Sequence, residues 1–361
     1  MYSYEILYEK AVVLLHQLIA TPSFSREESE TASLIRKFLD DHEVSFTQEG
    51  NNIFSFNKYF APGKPTLLLN SHHDTVKPNR GYTRDPFLPS VEGGKLYGLG
   101  SNDAGGCLVS LIVSYLFFYD HKGLPFNIIL TASAEEEVSG AHGIEMVLPM
   151  LGQIDCALVG EPTQFQMAVA ERGLMVLDCT SHGVAGHAAR NEGENAIYIA
   201  VEDIETIRNF RFDKVSPLLG ETRMSVTVIE TDNKQHNVIP PVCRFVADVR
   251  VNELYTFEEI LDLVQEKVKS KVIPRSSRLR STSIAMNHPL VKAGLELGCS
   301  YYGSPTTSDK ALMPFPALKI GPGDSARSHM ADEYIFLSEI RDGIEKYCKL
   351  MDAFGKYLPA N

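Results

Sequence analysis

Residues 66–74 read Thr66-Leu67-Leu68-Leu69-Asn70-Ser71-His72-His73-Asp74. A short apolar run bounded by polar residues has the form of a strand buried on both faces, and this one ends on two imidazoles and a carboxylate. Two further runs share that form. NIILTAS (127–133) leads into Glu135, Glu136 and Glu137, and CALVG (156–160) leads into Glu161. A helical stretch from Asp103 to Tyr119 lies between the first two, so the pattern predicts an α/β fold: a central sheet covered on both faces by helices. In such sheets the loops at the strand C-termini form the binding crevice. His72 and Asp74, Asp103 after the glycine-rich LYGLGSND (96–103), the glutamate run, Glu161, and His329 beyond LKIGPG (318–323) all fall at such ends.

Outward from this core, two helical patterns come first, the second opening at Ser25-Arg26-Glu27-Glu28, where a hydroxyl and early carboxylates suit a helix N-terminus. Near Gly173 the texture changes to alternating strands, LMVLDCTSHG (174–183), MSVTVIET (224–231) and CRFVADVRV (243–251). Helical patterns at Asn195 to Phe210 and Phe257 to Ser270 interleave with them, predicting a small α+β, ferredoxin-like unit. From Ile284 the buried-strand and helix pattern returns, with PALKIGPG (316–323) and a closing helix from Ser338 to Phe354. Residues 1–172 and 284–361 therefore read as one catalytic domain, and 173–283 as an insertion.

At 361 residues the chain exceeds what one core usually serves. A net charge of -12 argues against a nucleic-acid or anionic-membrane partner, since both demand clustered Lys and Arg. The apolar run AVVLL (11–15) is flanked at helical spacing by Glu5, Glu9, Lys10, His16 and Gln17, unlike a signal peptide core. No stretch approaches the roughly twenty apolar residues of a membrane span, and a cytoplasmic enzyme is the expectation. Cys107, Cys156, Cys179, Cys243, Cys299 and Cys348 form no C-x-x-C pair, which speaks against a disulfide framework or a thiolate zinc site.

Carboxylates gathered in one crevice repel each other and are expelled or protonated unless a cation neutralises them. Imidazole and carboxylate donors without cysteine suit a catalytic zinc site better than a structural one.

Seven segments in order and context carry a resemblance: SHHDTV (71–76), LYGLGSNDAGG (96–106), TASAEEEVSGAHG (131–143), VGEPT (159–163), GVAGHAAR with GENA (183–196), NVIP (237–240), and GPGDSARSH followed by DEYI (321–335). With these the chain resembles the co-catalytic zinc deacylases and peptidases that include acetylornithine deacetylase, succinyl-diaminopimelate desuccinylase, aminoacylase and glutamate carboxypeptidase. The resemblance implies a zinc-peptidase-like catalytic domain with an inserted dimerisation domain. It implies two Zn2+ per subunit, with Co2+ or Mn2+ as alternatives: one held by His72, Asp103 and Glu161, the other by Asp103, Glu137 and His329. Asp103 would bridge the ions, and Asp74 would fix the His72 ring by hydrogen bonding. Glu136 matches the general base and acid, although a run of three glutamates leaves a slip of one residue open. Glu135 takes the place of a family Asp. His187 matches a histidine that reaches the partner subunit's site in dimeric relatives, while Asn237 and Arg250 match positions that bind substrate or its α-carboxylate.

Two departures mark a divergent branch. The family's D-x-K-G-G reads Asp103-Ala104-Gly105-Gly106, and Ser71 stands where glycine usually precedes the first histidine. The expected reaction is hydrolysis of an N-acyl amino acid, such as N-acetyl or N-succinyl ornithine, citrulline or lysine, in arginine or lysine biosynthesis. Cleavage of di- or tripeptides is the alternative. Arg327, two residues before His329, is a candidate partner for a succinyl carboxylate if it points inward, and a solvated surface residue if it does not.

Overall fold

The computed structural model describes residues 3–190 and 192–358, and the chain divides into two compact units. The first comprises Met1–Val169, Ile284–Tyr302 and Ser308–Asn361; the second comprises Ala170–Ser283 with Gly303–Thr307. The second unit thus begins three residues before the Gly173 boundary expected from the sequence, and a short later loop accompanies it.

The central sheet orders its strands Thr47–Glu49, Asn52–Phe56, Asn127–Ser133, Thr66–His72, Cys156–Val159, Ala317–Lys319 and Met167–Glu171, the last of which runs from the end of the first unit into the start of the second. The middle is parallel: Thr66–His72 runs alongside both Asn127–Ser133 and Cys156–Val159, which in turn pairs in parallel with Ala317–Lys319. Antiparallel strands flank this centre, so the sheet is mixed. Thr66–His72 and Asn127–Ser133 are buried at every position, as their unbroken apolar runs require. The helix Gly106–Tyr119 is buried along almost its whole length and packs against the sheet and the helices Tyr4–Ile19 and Leu337–Lys356. Together with the preceding turn it is long and apolar enough to cross a membrane, yet 89% of that stretch is buried inside the protein.

The second helix starts at Ser29, four residues later than the sequence pattern suggests, because the Ser25 hydroxyl does not cap it. That hydroxyl donates to Asp74 instead, at 2.7 Å.

The second unit is a four-stranded antiparallel sheet, ordered Arg223–Glu230, Val242–Val251, Gly173–His182, Lys271–Ser276, with helices Ala196–Asn209 and Phe257–Lys267. This is the ferredoxin-like arrangement. Gly173–His182 alternates buried and more exposed positions, and its inward side chains join both helices around Leu177, Phe245, Ile260 and Val264. The edge strand Lys271–Ser276 has no counterpart in the sequence pattern, since it carries Pro274 and buries little.

The chain leaves the first unit at Val169 and re-enters at Ile284. Those two residues are neighbours, with the Ile284 N–H donating to the Val169 carbonyl at 2.9 Å.

Candidate metal centre

Register brings the donors to one end of the sheet. His72 lies opposite Ser133, and Asn70 lies opposite Val159, so His72, the glutamate run and Glu161 leave three adjacent strands at nearly the same height. Asp103 sits in the short irregular turn Ser101–Gly105 that precedes the buried helix. The turn needs glycine at position 100, where φ is +75° and an added Cβ would meet the Thr75 side chain at 2.5 Å.

His72 Nε2 is 3.3 Å from Asp103 Oδ1 and 3.8 Å from Glu161 Oε1. His329 Nε2 is 2.9 Å from Glu137 Oε2 and 3.9 Å from Asp103 Oδ2. The two oxygens of Asp103 therefore face two different imidazoles. Donor atoms of His72, Asp103 and Glu137 all lie within 4.8 Å of one another, as do those of His72, Glu136 and Glu161. Glu136 Oε2, at 3.9 Å, is almost as close to His72 as Glu161 is, so proximity alone does not separate a ligand from a base. His72 is buried, whereas the His329 side chain is 55% exposed and gives the cluster a solvent side.

Asp74 supports both halves of the cluster from below. Its Oδ1 lies 3.3 Å from His72 Nδ1 and accepts the Glu136 N–H at 3.1 Å; its Oδ2 accepts the Glu137 N–H at 3.1 Å and the Ser25 hydroxyl. With Nδ1 held on that side, His72 presents Nε2 to Asp103 and Glu161. The turn Glu136–Val138 is bounded by Glu135 and Ser139, both at positive φ, a conformation that non-glycine residues hold only where neighbours enforce it. Buried Glu28 is one such neighbour, accepting the Glu135 N–H at 3.2 Å and the Asn51 side chain at 2.7 Å. Buried Asp309 is tied to Asn70 at 2.8 Å and Ser133 at 2.7 Å, on the strands that carry His72 and the glutamates.

The electrostatics show a surplus of negative charge. Burial pushes the Glu136 carboxyl well above its ordinary range, His72 opposing and Glu161, Asp309 and Glu137 adding to the rise. Burial likewise raises Glu137, and it takes Asp309 to about 6. Burial alone would lower His72, but Asp103, Asp74 and Glu136 outweigh it and hold the imidazole well above its usual value. The hydrogen bond to Glu137 lifts His329 to about 9. Burial works against the Asp74 carboxylate, yet His72, Ser25 and the Glu137 N–H keep it below the usual range. Carboxylates this crowded, with two imidazoles between them and no thiol, form a donor set that fits a pair of divalent cations.

Three of the other sequence candidates belong to the second unit and one to the first. In the second unit, His187 belongs to the short strand Gly186–His187, paired with Val238–Ile239, so His187 and Asn237 are brought close: the Ala188 N–H donates to the Asn237 carbonyl at 3.0 Å. Both side chains are exposed. Arg250 is exposed and bound to Asp248 of its own strand at 2.8 and 3.1 Å. In the first unit the Arg327 guanidinium grips Glu339 with two bonds, of 2.7 and 3.0 Å, and lies over the rings of Tyr334 and Phe336. It is neither free on the surface nor turned to the cluster. Sequence reasoning missed Glu28, Asp309 and Glu333; only Glu333 carried a signal, as part of DEYI.

Residues 169–275 match the peptidase dimerisation domain. The chain is 26% identical over 355 residues to succinyl-diaminopimelate desuccinylase of Xylella fastidiosa, covering 90% of this chain and 93% of that protein. It is 27% identical over 376 residues to acetylornithine deacetylase of Proteus mirabilis, covering 95% and 96%. Among solved structures, a dinuclear metal-binding M20 peptidase of Bacillus subtilis superposes with a TM-score of 0.77 at 13% identity, covering 98% of this chain and all of that one. The resemblance read from the motifs holds, and the fold is that of the M20 family: a mixed central sheet with helices, and a dimerisation domain.

Proposed function

We propose that this chain is a two-metal amidohydrolase that releases a free amino acid from its N-acetyl or N-succinyl derivative. The observation that carries the reading is the position of Asp103, whose two oxygens face His72 on one side and His329 on the other. His72, Asp103 and Glu161 hold one cation, and Asp103, Glu137 and His329 the other. Cations bound there polarise the scissile carbonyl and lower the pKa of water toward about 7.

The chain's own residues do the rest. The Glu136 carboxylate is half-buried beside His72 with its affinity for protons raised, which suits it to take a proton from the attacking water and to deliver it to the departing amine nitrogen. Asp74 keeps His72 in the ligating tautomer and holds the main chain of Glu136 and Glu137. His187 acts on the developing oxyanion from a partner subunit, where loss of one donor costs about 3 kcal/mol. Asn237 and Arg250 bind the amino-acid portion, Arg250 exchanging Asp248 for the α-carboxylate.

The active form is a homodimer through the second unit. That unit exposes Tyr198 and Val201 on a helix and Val228 and Ile229 on the edge strand Arg223–Glu230, a surface suited to a second copy. The substrate is an ornithine, citrulline or lysine derivative of arginine or lysine biosynthesis in the cytoplasm. Small-peptide cleavage is the second reading, favoured by the likeness to the Bacillus subtilis peptidase.

Zinc-reconstituted protein assayed against N-acetyl and N-succinyl amino acids and against di- and tripeptides tests this. Turnover of an acyl amino acid with kcat/KM well above that for any peptide is expected. The reverse order supports the peptidase, and no metal-dependent turnover of any of them refutes both.

A further inference from the structure

The cluster just described does not account for Glu333. Its side chain is 2% exposed, and it emerges four residues after His329. Its carboxylate accepts three main-chain N–H groups: Gly100 at 2.9 Å on Oε2, with Asn102 at 2.8 Å and Asp103 at 2.9 Å on Oε1. The Gly98 N–H adds a fourth tie, to the Glu333 carbonyl at 3.0 Å. The residue before it is anchored to a different loop. Asp332 accepts the N–H groups of Thr83 and Arg84 at 2.9 and 3.0 Å, while Asn79 of the same loop donates to the His329 carbonyl at 3.0 Å. His329 and Asp332 both stand at positive φ, so this segment is held in shape by its partners.

From this geometry we infer that Glu333 is a positioning residue whose carboxylate shapes the Gly98–Asp103 loop and thereby aims the two oxygens of Asp103 at the His72 and His329 sides. The loop sits between a strand and a helix, so its N–H groups have no ladder to join, and buried donors demand acceptors. Burial and the neighbouring Asp103 carboxylate raise the Glu333 pKa to about 8 while the three N–H groups pull it down, and as an anion its two oxygens serve those three donors without bringing a competing donor of their own. A neutral amide of the same shape offers one acceptor and turns an NH2 toward the Gly100 N–H. The loop would then swing, and with it Asp103, whose own N–H is one of the three. Because His329 and Glu333 share a segment, one anchor relates the bridging carboxylate to a ligand contributed more than two hundred residues later.

The inference rests on the reading of Asp103 as a bridge between two cations, and its test separates the two. Mn2+-loaded wild type, Glu333→Gln and Glu333→Asp are compared by EPR, which distinguishes two ions coupled through a shared carboxylate from isolated ions, and by calorimetric Mn2+ titration. Asp203→Asn serves as a control: Asp203 is a buried carboxylate of the second unit that accepts the main-chain N–H groups of Lys269 and Ser270. Expected are a coupled pair in wild type and in Asp203→Asn. Glu333→Gln should lose the coupling and bind Mn2+ about ten- to a hundredfold more weakly, as outer-shell substitutions do, and Glu333→Asp should recover part of it. A Glu333→Gln protein with coupled ions and wild-type affinity, whatever its Tm, would overturn the inference alone. A wild type that binds one ion or shows no coupling would overturn the bridge and the inference together.

Discussion

Replacing Asp74 by asparagine preserves the shape of a side chain that is 1% exposed and removes its charge. The carboxylate accepts the N–H groups of Glu136 and Glu137 and the Ser25 hydroxyl, and lies 3.3 Å from His72 Nδ1, whose 3.0 Å partner is the Asp74 main-chain carbonyl. With its one remaining carbonyl turned to His72 and Glu136, the asparagine NH2 faces the Glu137 N–H, while the Ser25 hydroxyl rotates to accept. One buried donor is orphaned, at a cost of about 1–3 kcal/mol. For a unit of this size that is a fall in Tm of roughly 2–4 °C per kcal/mol, measured in chelator so that metal does not contribute. The metal-bound protein has more to lose: His72 Nδ1 keeps its 3.0 Å bond to the Asp74 main-chain carbonyl, but the change removes the anion beside the ring and loosens Glu137, so affinity for zinc should drop about ten- to a hundredfold in competition with a chromophoric chelator. Ser25→Ala removes one donor and leaves the charge, so its zinc affinity should stay at the wild-type value. An Asp74→Asn protein that competes for zinc as well as wild type, or a Ser25→Ala protein that fails equally, would refute the account of Asp74 as the support of both histidine and glutamates.

Glu136→Gln should keep fold and metal while kcat falls by several orders of magnitude, and Glu137→Ala should lose metal; exchanged phenotypes would move the assignment by one residue. In metal-free protein the folded-state pKa of His329, about 9, exceeds its unfolded value of roughly 6.5. The stability from its pairing with Glu137 is therefore complete below about 6.5 and lost as pH rises through about 9. Tm in chelator should fall across that window, and less so in His329→Ala. If His187 serves the neighbouring subunit, mixing inactive His187→Ala with inactive Glu136→Ala should restore part of the activity, whereas a fully active monomer in sedimentation would contradict it. Arg327→Ala should lower Tm by breaking the bidentate pair with Glu339 and leave any preference between N-succinyl and N-acetyl substrates unchanged; a switch in that preference would show that the guanidinium releases Glu339 for substrate.

The central strands were legible because each is buried on both faces and so carries an unbroken apolar run, and the donors at their ends were legible because a parallel sheet gathers its strand C-termini at one edge. The alternating strands of the second unit were readable for the complementary reason, one face in and one face out. What escaped was bonding that sequence spacing does not encode. Ser25 has the look of a helix cap, yet its partner is forty-nine residues away. Glu333 spends its charge on main-chain amides, which every residue but proline possesses and which leave no trace in residue type. Arg327 sits beside a ligand in the chain, but a closing helix supplies the carboxylate that claims it.

The meeting of Val169 with Ile284 has a consequence for how such a protein can be altered. Every proposed cation donor, Glu136 and Asp74 lie outside the excursion that begins and ends at this one hydrogen-bonded pair. A different module could be spliced into the same gap, or a tight turn could close it, without lengthening any loop that the hydrolytic centre relies on. The gap is a natural port, at which the surface that recognises substrates and sister chains, His187 with it, can be exchanged while the proposed cation donors, Glu136 and Asp74 are inherited unchanged.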